Sequence, residues 1–152
     1  MVSISTESEL KDAMKFAEDN RDILSDHGFV FISSERQTSQ LVADFQIFGY
    51  HNKVTGMSLM VSFFPRWEAQ SSNIFPILTD SSGRKLQIED YLKKHERFDL
   101  IAQLTRGAAC ADVRDFLRTA YGALKTTFTT ELKEIISGKQ WEVIPFDWQG
   151  YK

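Results

Sequence analysis

A single cysteine, Cys110, stands among 152 residues. No disulfide can close within the chain, and the fold does not depend on an oxidising compartment. Histidine is nearly as scarce. His27, His51 and His95 are far apart, none at the i,i+4 spacing of a helical zinc pair, and one thiol makes no thiolate cluster. Neither a metal nor a cofactor is therefore expected. The eight glycines occur singly, which excludes a P-loop cradling phosphate, and no Gly-x-Ser-x-Gly elbow presents a nucleophilic serine. No apolar run approaches the roughly 20 residues that span a bilayer. No helical pattern combines a basic polar face with an exposed apolar edge, so a membrane partner is not expected.

Charge of one sign is also in short supply. Eighteen Lys and Arg stand against 21 Asp and Glu, for a net charge of −3. Affinity for nucleic acid rests on clustered cations that neutralise phosphates, so no nucleic-acid partner is expected and a basic protein is the better match. The stretch Met1 to Lys11 is polar, carries Glu7 and Glu9, and lacks the basic start and apolar core of a signal peptide. The expected location is cytoplasmic.

What the chain does have is core material. Hydrophobic residues make up 42% and aromatics 12% of a length that suits one domain burying about two thirds of its unfolded surface. No linker, repeat or low-complexity tract divides it, so residues 1–152 are read as one domain. Thr6 and Glu9 have capping-box spacing, and Leu10, Ala13, Met14, Ala17 and Leu24 follow near helical spacing, with Gly28 as terminator. Phe29 to Ile32 is apolar at every position and reads as a short strand inside the sheet, with Ser33 to Gln40 as a loop.

From Leu41 to Phe64 the period changes to two. Odd positions are apolar or small: Leu41, Ala43, Phe45, Ile47, Gly49, Met57, Leu59, Val61 and Phe63. The pattern predicts a hairpin with its odd face buried, Ile47 opposite Leu59, and a turn over residues 51–55 eased by Gly56. Pro65 ends the second strand. Pro76 demotes residues 74–78 to an edge strand, Asp80 to Gly83 is a turn, and Leu86 and Ile88 suggest a return strand. Helical pattern resumes at Glu89 to Leu92 and Phe98 to Leu104. It is clearest from Asp112 to Ser137, where Val113, Phe116, Leu117, Ala120, Tyr121, Leu124, Phe128, Leu132, Ile135 and Ile136 keep the 3,4 spacing up to Gly138. Trp141, Val143 and Ile144 suggest a last extended segment. The expected fold is α+β: an antiparallel sheet of about four to six strands with an N-terminal helix and a long C-terminal helix packed on one face.

No convergent catalytic set emerges, and the balance leans away from an enzyme. Cys110 could be activated near a helix start, but its small neighbours in Gly107 to Ala111 favour a buried structural thiol. His95, Glu96, Arg97 and Asp99 read as a solvated charged turn. Aromatic residues in exposed-looking places are the more telling feature. Phe48, Tyr50, Met60 and Phe64 fall on the polar face of the hairpin, Trp67 follows it, and Trp148 and Tyr151 lie near the end. The expected function is a non-enzymatic protein-interaction domain, a small inhibitor or immunity-type protein that binds and blocks a toxin-like partner. Its expected contact residues are Asp44, Gln46, Phe48, Tyr50, His51, Lys53 and Trp67. The competing expectation is a small-molecule-binding domain or enzyme with a pocket between the sheet and the long helix, lined by Phe45, Phe63, Phe116, Tyr121 and Phe128. Nothing in the sequence sets the oligomeric state.

Overall fold

The structure is a computed structural model that describes residues 4–38, 44–66, 72–107 and 110–137. The expected α+β architecture is present. A helix, α1 (Ile4–Asp19), and a 3-10 turn (Ser25–His27) lead into five strands: β1 (Phe29–Gln37), β2 (Phe45–Asn52), β3 (Ser58–Phe64), β4 (Asn73–Thr79) and β5 (Lys85–Gln87). Four helices follow: α2 (Ile88–Lys94), α3 (Phe98–Thr105), α4 (Val113–Thr129) and α5 (Lys133–Ile136). The strands form one antiparallel sheet in sequential order, β1 and β5 at its edges. The inner-face residues Phe48, Tyr50, Leu59, Val61, Phe63, Ile74 and Leu78 join the apolar stripes of α1, α2, α3 and α4 in a single core. Every stripe residue expected on the long helix is buried.

The hairpin register departs from expectation. Leu59 pairs with Tyr50, and Ile47 pairs with Ser62, a shift of three residues from Ile47 opposite Leu59. Because side chains alternate with period two, an odd shift turns one strand over. Phe48 and Tyr50 therefore enter the core, and Phe45, Ile47 and Gly49 face outward with intermediate exposure. Turn geometry causes the shift. β2 runs on through His51 to Asn52, whose Oδ1 accepts from the Val54 and Thr55 N–H groups at 3.0 and 3.2 Å. Its Nδ2 donates to the His27 carbonyl at 3.1 Å, and Gly56 at φ 75° closes the turn. A buried asparagine, bonded both within its turn and to His27 ahead of β1, sits where the strands reverse, and this arrangement outranks the hydrophobic alternation of β2.

Three other expectations change. β1 continues through the polar residues 33–37 and lies at an edge, with a bulge between Phe31 and Ser33 that changes the residue parity facing inward. Its polar half is held by ion pairs and by Gln46, as described below. α1 begins before Thr6, so Thr6 and Glu9 do not form its capping box; Glu9 Oε1 instead accepts from the Arg66 N–H at 3.1 Å. The long helix stops at Thr129. The Thr126, Thr127, Thr129 and Thr130 hydroxyls all donate back to carbonyls three or four residues earlier, which competes with continued winding. Thr130 leaves the helical region at ψ −92° before α5 resumes.

Other readings hold. β3 ends before Pro65 and Arg106 follows α3, whereas α1 stops at Asp19, short of its expected terminator, and Gly28 with a left-handed φ of 84° ends the 3-10 turn instead. The edge placement expected for residues 74–78 is corrected: β4 lies between β3 and β5, and Pro76 is accommodated because β5 pairs only with Ile77 to Thr79. Asp80 organises its turn by accepting from the Ser82 and Arg84 N–H groups at 3.0 and 2.8 Å, and it pairs with the Arg84 guanidinium at 2.8 Å. Burial alone would raise its pKa, yet the Ser82 hydroxyl, donating at 2.8 Å, and these donors together hold it down to about 2. Leu41, Ala43, Trp67 and everything from Gly138 onward, including Trp141, Val143, Ile144, Trp148 and Tyr151, lie outside the described residues.

Candidate functional site

The residues expected to form one exposed patch do not form one. Phe48 and Tyr50 are buried in the core, and Asp44 and Gln46 are buried polar groups. Gln46 Nε2 donates to Ser34 Oγ at 2.7 Å, which ties β2 to β1. Asp44 accepts from Arg36 Nη2 at 2.7 Å, and the same guanidinium donates to Glu7 Oε2 at 2.9 Å. This three-residue cluster anchors α1 to the sheet edge. The hydrogen bond from Arg36 lowers the pKa of Glu7, and the two carboxylates raise that of Arg36. One guanidinium serves both carboxylates, so the cluster acts as a structural tie. His51 is half-buried on the outer face with Nδ1 3.2 Å from Ser58 Oγ, and Lys53 is exposed in the turn. Of the expected contact set, only these two described residues reach the surface.

Tyr50 and Tyr121 join the sheet to α4 through a hydroxyl–hydroxyl hydrogen bond of 2.6 Å. Burial pushes Tyr50 up to about 12, partly offset by the Tyr121 hydrogen bond, and raises Tyr121 well above the usual tyrosine range. Both rings therefore stay neutral at physiological pH, and the pair works as a buried tie. Tyr121→Phe leaves the Tyr50 hydroxyl buried without its partner and is expected to cost about 1–3 kcal/mol. Tyr50→Phe combined with Tyr121→Phe removes both polar groups and is expected to lie closer to wild type. Urea unfolding of the four proteins measures the coupling.

Aromatic rings from the sheet and the long helix meet in the core. Phe63 lies 6.5 Å from Phe116 and Phe29 lies 5.5 Å from Phe128, centroid to centroid. Phe45 is on the other face, stacked on Phe64 at 4.8 Å. Cys110 is half-buried against the core, its N–H donating to the Gly107 carbonyl at 3.1 Å. The following helix is capped by Asp112, which accepts from the Asp115 N–H at 2.8 Å. The charged turn at residues 95–99 becomes a clasp: Arg97 pairs with Asp99 at 3.1 Å and also with Glu131, just beyond the end of α4. Burial opposes ionisation of Glu131, yet the Thr130 hydroxyl and Arg97 outweigh it and keep its pKa below the ordinary value. Among the described residues no group of His, Cys, Asp and Glu is placed to hold a metal ion, and no helix is long and apolar enough to cross a membrane.

No family model, curated protein or solved structure matches this chain.

The distinctive surface is the outer face of the sheet. Register puts Ile47, Ser62 and Phe75 in one cross-strand row and Gly49, Met60 and Ile77 in the next, with Phe45 and Phe64 beside them. Val30, Ile32 and Met60 are 50%, 62% and 37% exposed, while Ser62 is buried between its larger neighbours. The hairpin pattern had pointed to Met60 and Phe64. Sequence reasoning missed Val30, Ile32, Phe75 and Ile77. The available signal was that Phe29 to Ile32 and Ile74 to Leu78 are apolar at both parities, which marks a strand with apolar side chains on both faces.

Proposed function

We propose that this chain is a non-enzymatic protein-interaction domain, a small cytoplasmic inhibitor of the immunity type that binds and blocks a basic, toxin-like partner protein. The observation that carries the reading is the apolar outer face of the sheet. An antiparallel sheet that packs helices on one face ordinarily turns polar residues to the other. Here Ile47, Met60, Phe64, Phe75 and Ile77 stand outside the core built with the helices. A contiguous apolar patch of this kind fits a protein interface, and aromatic residues and Met are the types enriched in interface cores. The net charge of −3 supports association with a basic surface by electrostatic steering.

The test is binding to proteins encoded beside this chain or coexpressed with it, using wild type and the variant Met60→Asp/Ile77→Asp. These two positions are cross-strand neighbours. Wild type is expected to hold one stoichiometric partner with submicromolar affinity and to suppress that partner's activity. The variant is expected to fold and to lose at least about 100-fold in affinity. No complex tighter than micromolar, or a folded variant that binds as wild type does, would refute the reading.

A further inference from the structure

A second surface, separate from the outer face, has a pattern that matches itself. Among the described residues, β1 is a nine-residue edge strand paired on one side, to β2. α1 runs beside it in the opposite direction: Glu7 is bonded to Arg36 near the end of β1, and the Arg21 guanidinium, just past α1, lies 5.2 Å from the Phe31 ring. The face of α1 turned toward this edge includes Glu7, and helical spacing adds Lys11, Met14 and Glu18. All of these are exposed, and Met14 is 38% accessible despite its apolar side chain.

Glu7 in the first turn of α1 suits the helix dipole, but the last turn opposes it. Lys11 lies in the first half of the helix, while its last turn holds Glu18 and Asp19 and no base. Carboxylates are unfavourable at a helix C-terminus, where the carbonyls already concentrate negative charge. Within one molecule Lys11 and Glu18 are about two turns apart, too far to pair directly. A two-fold axis passing beside Met14 reverses the order in the partner. It sets Lys11 of one copy opposite Glu18 of the other, twice, with the two Met14 side chains between them. The same axis aligns the two β1 edges antiparallel, the arrangement in which unpaired strand edges join.

We propose that a second copy of this chain is the partner of this surface, β1 pairing with β1 and α1 lying beside α1 across a two-fold axis. Sedimentation equilibrium of the full chain, from low micromolar to about 0.1 mM, tests it. Wild type is expected at twice the 17.5 kDa chain mass. Lys11→Glu and Glu18→Lys each turn two attractions into two repulsions and are expected to weaken the dimer by on the order of 10-fold or more. The double variant Lys11→Glu/Glu18→Lys restores opposite charges and is expected to recover wild-type association. Met14→Lys places two cations at the axis and is expected to be monomeric at concentrations where wild type is dimeric. These positions are exposed, and circular dichroism establishes that each variant is folded. A wild-type monomer throughout the range overturns the proposal. So does a dimer indifferent to the single reversals, or a double variant that stays as weak as the singles.

Discussion

Phe48→Lys is expected to leave the chain unfolded at 25 °C, while Ile47→Lys, one residue earlier, is expected to change stability by about 1 kcal/mol or less. Phe48 is fully buried on the inner face, beside Val61 in the sheet. Replacing it forfeits about 1.5–3 kcal/mol of apolar burial. It also puts an ammonium into the core with no acidic partner, a further cost of several kcal/mol. Together these approach the whole net stability of a typical domain, roughly 5–15 kcal/mol. Ile47 is on the outer face, and its cross-strand neighbour is the exposed Glu35. A lysine there keeps its charge in water and gains an opposite-charge pair across the strands, a contribution of about 0.2–1 kcal/mol. Circular dichroism and urea midpoints of the two variants decide the matter. The opposite ranking would return the hairpin to the odd-face register that its hydrophobic alternation suggests.

Phe128→Ala is expected to cost about 3–5 kcal/mol, the range for deleting a buried aromatic ring. Phe128 is 1% exposed and sits where α4 meets the start of the sheet. It stacks on Phe29 with centroids 5.5 Å apart, and the His27 imidazole meets it edge-on at the same distance. Removing the ring opens a cavity bounded by the strand and by the 3-10 turn that leads into it. The effect on His27 is a second readout. Burial lowers the pKa of this imidazole, with Lys125 adding to the shift. The unfolded state therefore takes up the proton first, so this group's contribution is fully present above its unfolded value and declines as the pH falls through the folded one. In Phe128→Ala, water reaching His27 relaxes the burial, so its pKa is expected to move back toward the ordinary value and this acid-side loss to shrink. Urea midpoints measured against pH, with an NMR titration of His27, test both parts. A loss below about 1 kcal/mol would mean that Phe128 does not support the core in this way.

The legible parts of the fold share a feature: each is decided by residues close in sequence. The stripe of the long helix, the Asp80 turn, the left-handed glycines at 28 and 56, and the breaks at Pro65 and Arg106 follow from spacing and local sterics. The misread parts hang on distant partners. The polar half of β1 looks like a loop until Arg36 meets Glu7 and Asp44 and Gln46 meets Ser34. Glu9 looks like a cap until the Arg66 backbone takes it. The long helix looks continuous because its apolar stripe does continue: Leu132, Ile135 and Ile136 are buried past the break. Four residues of the expected contact set are buried for the same reason. Asp44, Gln46, Phe48 and Tyr50 are apolar and polar residues sharing one parity, and the sequence gives no sign that Arg36, Ser34 and Tyr121 would satisfy the polar ones inside.

By itself, the sequence determined that this is an α+β chain of one antiparallel sheet and amphipathic helices, because hydrophobic period is a local property that any window reveals. It also ruled out a disulfide-dependent fold and left no thiolate cluster or glycine-rich phosphate loop. Tertiary structure alone decided which face of β2 is inside, because a single side-chain contact, Asn52 to the His27 carbonyl, helps fix the turn and so the parity of the strand. That parity placed Phe48 and Tyr50 in the core and Ile47 and Phe45 on the outer face. The candidate interaction surface follows from it, since period two leaves no intermediate choice between buried and exposed.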